Sequence, residues 1–171
     1  MSWDGLFPCC NPQLDKRKSY AMDVKDSVYS RGEHEDALNT LQDEIVQDFA
    51  SIGDLLSQYE YLLEYAASLP VMENEEKSEK NLVEGCQSRV WLSMAVSDGR
   101  LSLRADSDTL IVRGILHLLI NVLDGRRLDE VAKATIYFPE KAGLMATFDE
   151  ARRKGIASVV ASIRRFAQQS S

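Results

Sequence analysis

Between Leu110 and Val122 the chain reads Leu-Ile-Val-Arg-Gly-Ile-Leu-His-Leu-Leu-Ile-Asn-Val, and its apolar residues fall on nearly every side of a helix. Such a helix offers no face to water, so it must lie at the centre of whatever the chain builds. It is too short for the roughly 20 apolar residues that cross a bilayer. The other segments are therefore read as its covering. Asp106-Ser107-Asp108 precede the helix and are expected to cap it. Their side-chain oxygens can accept from the free amides of a first turn, where negative charge is also favoured. Gly125 follows as a left-handed stop.

The covering has recognisable periods. Leu38, Leu41, Ile45, Phe49 and Ile52 form one helical stripe, and Leu55, Tyr59, Leu62, Leu63, Ala66 and Leu69 form a second. Asp54 starts that second helix and Pro70 ends it. Val90, Leu92, Met94 and Val96 alternate with Trp91, Ser93, Ala95 and Ser97, which is the period of a strand. Asp98-Gly99 is a two-residue hairpin turn and Arg100 to Arg104 the return strand. Leu82-Val83 can add a short third strand. A short helix is expected from Leu128 to Lys133. Residues 135–147 are broken by Pro139 and Gly143, and a last helix runs from about Glu150 to Gln168. Helices covering an antiparallel sheet of two or three strands make an α+β fold. Val71 to Lys80 reads as a charged, solvated connector. Residues 1–36 lack any apolar period and are expected to be a flexible N-terminal extension, with the folded domain over 37–171.

Composition narrows the function classes. A formal charge of -7 and a pI near 4.9 speak against nucleic acid or an anionic membrane as partner. The first residues lack a basic region followed by a long apolar core, so no signal peptide is expected. Cys9 and Cys10 are adjacent and read first as an incidental pair in the extension, with a lipidation or redox site as the alternative. A reducing cytoplasm with free thiols is the simplest setting. No Gly-rich phosphate loop is seen, and neither a metal site nor a bound cofactor is expected.

One residue in the folded part invites chemistry. Cys86 stands between Gly85 and a strand, where a stiff support can present a thiol on a loop. A cysteine nucleophile needs a base or cation to become thiolate. The two histidines do not serve: His34 is in the extension and His117 lies within the central helix. Asp106 and Asp108 are better explained as caps than as an acid–base pair. What remains is a thiol that accepts or passes a group with another protein's help. Packing against Val83, Val90 and Trp91 would hide it, and Gly85 would let its loop move.

The segment Asn81-Leu82-Val83-Glu84-Gly85-Cys86-Gln87-Ser88-Arg89-Val90-Trp91 resembles the acceptor motif of the SufE family of sulfur acceptors. Asp106-Ser107-Asp108 with Ile111-Val112-Arg113-Gly114, and Arg152-Arg153-Lys154-Gly155, resemble later pieces of the same family, so the likeness spans about Gln47 to Ala167. The resemblance implies a SufE/IscU-like α+β fold. It also implies a function: a persulfide is taken from a SufS-like cysteine desulfurase, whose activity rises, and the sulfur passes to a SufB-like iron–sulfur scaffold. Pyridoxal phosphate would belong to the desulfurase. Cys86 would be the acceptor, with Glu84, Gly85, Gln87 and Ser88 as its loop and Asp108 and Arg152 in support. Phe148-Asp149-Glu150 and Lys154 depart from the family pattern, which leaves Arg152 and Arg153 both open as the family arginine. Two other classes stand beside this reading. One is a non-covalent regulatory module of a desulfurase or scaffold, with Cys86 structural. The other is a stand-alone thiol enzyme, which the lack of a suitable histidine disfavours. Oligomeric state, a homodimer included, is left open.

Overall fold

The computed structural model describes residues 31–171, apart from position 147 and the side chains of residues 31–36. In chain order the elements are α1 (Arg31–Ser51), α2 (Leu55–Ser68), a 3-10 turn (Glu79–Asn81), β1 (Val90–Ser97), β2 (Arg100–Ser107), α3 (Leu110–Leu123), α4 (Leu128–Lys133), α5 (Phe138–Lys141) and α6 (Glu150–Ser170). The extension expected over residues 1–36, with Cys9, Cys10 and His34, lies outside the described residues as far as position 30. Residues 31–36 are the backbone opening of α1.

The apolar helix is the centre. Ile115, Leu116, Leu118 and Val122 of α3 are wholly buried. The hairpin covers one side through Leu101, Leu103 and Ala105 of β2, and α2 covers another through Leu62, Tyr65 and Ala66. Short α4 packs on α6. The class is α+β, as the periodicities indicate.

β1 and β2 pair antiparallel from Val90↔Ser107 to Ser97↔Arg100. The turn has positive φ at Asp98 (51°) and Gly99 (71°), which suits the right-handed twist of the strands it joins. β2 runs three residues past its expected end at Arg104, taking in Ala105, Asp106 and Ser107. The expected third strand reduces to one bridge, Leu82 to Trp91, with Val83 N–H donating to the Val90 carbonyl at 2.8 Å.

Three expectations are corrected. The α2 stripe is only half buried: Leu55 and Tyr59 remain 64% and 47% exposed, because only the later turns, from Leu62 on, reach α3. The connector from Val71 to Lys80 is not a free solvated loop. Met72 is buried, Glu76 pairs with Arg104 at 2.7 Å, and Lys77 reaches Asp106 at 2.6 Å. Nor do Asp106 and Asp108 cap α3. Thr109 is the N-cap residue and makes no side-chain cap bond, while Asp106 is already committed to β2.

Gln42 was invisible to the period analysis. It sits wholly buried on α1, where its amide donates to the Thr135 carbonyl (3.0 Å) and accepts from Tyr137 N–H (2.8 Å) and Phe138 N–H (3.3 Å). A fully satisfied buried amide can specify one arrangement of the segments it joins.

Gly114 lets α2 and α3 touch. A Cβ there would overlap the Leu62 carbonyl oxygen and stand 2.7 Å from Leu62 Cγ. Gly114→Ala is expected to cost about 2–3 kcal/mol although alanine is the better helix former. The midpoint of urea unfolding measures it.

Candidate functional site

The loop that carries Cys86 is fixed at both ends. Before it, Val83 bonds to Val90 across the short bridge. After it, Arg89 N–H donates to the Asp108 carboxylate (3.1 Å), and the Arg89 carbonyl accepts from Ser107 Oγ (2.8 Å) and Asp108 N–H (3.3 Å). Thr109 Oγ1 donates to Ser88 Oγ at 2.9 Å. Residues 107–109 therefore staple the second half of the loop to the start of α3. Glu84, Gly85 and Gln87 are exposed, and Cys86 and Ser88 are half-buried. Gly85 has φ of +80°, which is open to glycine and strained for other side chains.

The thiol points inward. Cys86 Sγ donates to the Gly155 carbonyl at 3.3 Å. It lines a hollow of about 10 Å³ together with Gln87, Ser88, Val90, Val112, Arg152, Gly155 and Ile156. Of the packing partners expected from sequence, only Val90 lines this hollow. Side chains alternate faces along a strand, so Trp91 turns to the opposite side of the hairpin. There its indole lies under the Arg89 guanidinium (5.0 Å) and the Lys77 ammonium (5.7 Å).

Burial pushes the Cys86 thiol above the ordinary cysteine pKa, because the charged form is poorly solvated there. Closed in, the residue is a thiol, not a nucleophilic thiolate. Its alkylation rate is expected to go on rising at pH values where an exposed cysteine has levelled off, and a pH series with iodoacetamide checks this.

Helix α6 supplies the far wall. Asp149 accepts from Arg152 N–H (2.9 Å) and so sets where the helix starts. That start brings Arg152, Gly155 and Ile156 to one face, at steps of three and four. Arg152 is thus the arginine at the cysteine. Arg153 instead donates from Nε to the Met145 carbonyl at 3.0 Å. Arg152 Nε is buried and has no hydrogen-bond partner among the described residues. The hollow is therefore lined by both the Cys86 thiol and Arg152. Sequence reasoning missed Val112 and Ile156 as walls and took Gly155 only as a motif letter. The three-residue step from Arg152 to Gly155 was the available signal.

His117 takes no part in the hollow. Its Nδ1 lies 2.7 Å from the Tyr65 carbonyl and its ring meets Tyr65 edge-on at 5.4 Å, a satisfied core histidine.

Asp106 anchors the staple from below. It lies opposite Trp91 in the sheet and is buried. Its carboxylate meets Lys77 (2.6 Å), Arg113 (3.1 Å) and the amides of Ser107 (2.8 Å) and Met72 (3.3 Å). Burial alone would raise its pKa; the Lys77, Ser107, Met72 and Arg113 contacts prevail and hold it below the ordinary aspartate value.

A family model described as "Fe-S metabolism associated domain", SufE, matches residues 43–167. The chain belongs to the SufE family. With that membership comes a role in iron–sulfur metabolism. An uncharacterised SufE-like protein of Rhizobium etli is 32% identical over 127 residues, which are 71% of this chain and 86% of that protein. A SufE-like protein of Synechocystis is 34% identical over 115 residues, 67% of this chain and 72% of its own. SufE-like protein 1 of Arabidopsis thaliana, named as chloroplastic/mitochondrial, is 31% identical over 118 residues, covering 68% of this SufE chain and 32% of the plant protein. In fold, this SufE chain matches the solution structure of a hypothetical protein from Thermus thermophilus. The TM-score is 0.63 at 21% identity, over 76% of this chain and 95% of that one. No helix among its described residues is long and apolar enough to cross a membrane.

Asp106→Asn leaves Lys77 and Arg113 without their shared anion. The expected loss is about 3 kcal/mol at pH 7, the low end for a broken buried pair, since the Lys77 side chain keeps 26% exposure. A depressed carboxyl pKa contributes stability above about pH 4 and loses it as pH falls through the folded value. The gap between wild type and D106N therefore narrows in acid, which urea unfolding at pH 7 and pH 3 measures.

Proposed function

We propose that this SufE-family protein is a persulfide carrier. Cys86 accepts a sulfane sulfur from a cysteine desulfurase, stimulates that enzyme by clearing its product, and passes the sulfur to an iron–sulfur cluster scaffold. The observation that carries the reading is that one hollow is lined by the inward Cys86 thiol and by Arg152, whose buried Nε has no partner among the described residues.

The step is an exchange at sulfur. Cys86 loses its proton to solvent or a partner base, and its thiolate attacks the outer sulfur of the donor's persulfide. A new S–S bond forms on Cys86, the donor's S–S bond breaks, and the donor cysteine leaves as thiolate. No net oxidation occurs. Turned inward and half-buried, Cys86 is a poor nucleophile, so the loop must carry it out when the donor docks. Gly85 is the pivot for that motion, and Ser88, bonded to Thr109, and Arg89, bonded to Asp108, limit it to residues 84–87. Once loaded, the group is more acidic than the thiol it replaces, and Arg152, which lines the same hollow, is its cationic partner in this reading. Glu84 and Gln87 stand exposed on the rim, where the partner arrives. Pyridoxal phosphate stays with the desulfurase. A reducing compartment such as the cytoplasm suits a thiol that must arrive free.

The test is incubation with a cysteine desulfurase and cysteine, followed by intact-protein mass measurement. Wild type is expected to gain one sulfur atom and Cys86→Ser none. Arg152→Gln should keep the thiol but lose roughly tenfold in loaded fraction, as befits a lost charge-assisted hydrogen bond. Desulfurase stimulation that persists undiminished in Cys86→Ser would replace the carrier by a non-covalent regulatory module.

A further inference from the structure

The wall opposite Cys86 is a glycine in mid-helix, a position where alanine would be the better helix former. Gly155 is buried, and its carbonyl takes the thiol hydrogen. A Cβ built there would stand 3.4 Å from Cys86 Sγ, 3.5 Å from its Cα and 3.6 Å from its Cβ. These are ordinary contact distances. The free thiol would thus tolerate alanine, and the glycine is not explained by the thiol state alone. A second sulfur on Cys86, one S–S bond of about 2 Å beyond Sγ, has no such latitude against a methyl at that place. The hollow beside it, about 10 Å³, is room for a single water-sized atom.

We infer that Gly155 sizes a one-atom chamber for the outer sulfur of a Cys86 persulfide, so that the loop closes over the loaded state as well as the empty one. The inference rests on the reading of Cys86 as a sulfur store. The chamber holds one added sulfur and turns away longer polysulfide chains and glutathione mixed disulfides, which leave the loop open. Three features bound it: the missing Cβ of Gly155, residues Val112 and Ile156, and Arg152.

The chamber can be tested without a desulfurase. Inorganic polysulfide loads the protein: the Cys86 thiolate attacks a polysulfide sulfur, one S–S bond forms and one breaks, and the shortened polysulfide dianion leaves. After desalting, excess tris(2-carboxyethyl)phosphine removes the outer sulfur as phosphine sulfide and regenerates the thiol. Intact mass against time gives the decay rate. Wild type is expected to decay slowly. Gly155→Ala, with its thiol intact, should decay roughly tenfold faster, because crowding disfavours the closed loaded state and populates the open one. Adding Val112→Ala, which takes methyls from the opposite wall, should bring the rate back toward wild type. Equal decay in wild type and Gly155→Ala overturns the inference. So does fast decay that Val112→Ala does not slow, since that would mark a disturbed helix, not a filled chamber. A failure of loading by the desulfurase would instead remove the relay proposed above and leave this measurement standing.

Discussion

A helix apolar on most of its surface must be largely surrounded, and the enclosure of α3 dictates where the elements packed on it can go. The hairpin and α2 each take a side, and Gly114 brings α2 close enough to seal one of them. The start of α3 is then fixed against the end of β2, and Ser107, Asp108 and Thr109 at that junction bond to the loop that follows Cys86. The thiol's position is a by-product of the core being closed. At α3 the hydrophobic demand is non-directional; the polar contacts of residues 106–109 turn it into a defined geometry.

A sulfur relay has to reconcile two opposed requirements. The thiolate must form to react, and the loaded group must not meet stray thiols or oxidants. On the carrier reading proposed above, the two are separated in space. Inward, partial burial favours the protonated thiol. Outward, only Glu84 to Gln87 need move, because both flanks of the loop are bonded to the frame. The motion is small and local, of the kind a docking partner can drive with modest interaction energy.

The strong periods in the sequence correspond to elements as read. The hairpin turned at Asp98-Gly99, α4 matched its expected ends, and the central helix lies where its composition required. The family motif placed the cysteine at a loop-to-strand junction. What could not be read were relations between distant segments. Cys86 faces Val112 and Ile156 because α3 and α6 converge there, and no local pattern encodes that convergence. Trp91 was assigned to the thiol's packing because it is near in sequence; strand alternation sends it to the other face. Asp106 and Asp108 look like a cap from their spacing, yet the extra length of β2 draws Asp106 into a buried ionic cluster. The connector reads as solvated because its charges outnumber its apolar residues. Met72 and Lys77 nonetheless bind it down, since a buried carboxylate elsewhere needed their donors.

The stacking of Arg89 on the Trp91 indole has an optical corollary. Among the described residues tryptophan is confined to that one site, and the guanidinium over its ring belongs to the residue at the loop's tethered end. Its indole N–H is buried without a partner, so the emission of this fluorophore is governed by its immediate charged neighbours. The protein thereby carries an intrinsic reporter a few residues from Cys86, on the charged face of the hairpin opposite the hollow, where a change in loop posture registers as a change in colour or intensity without any added label.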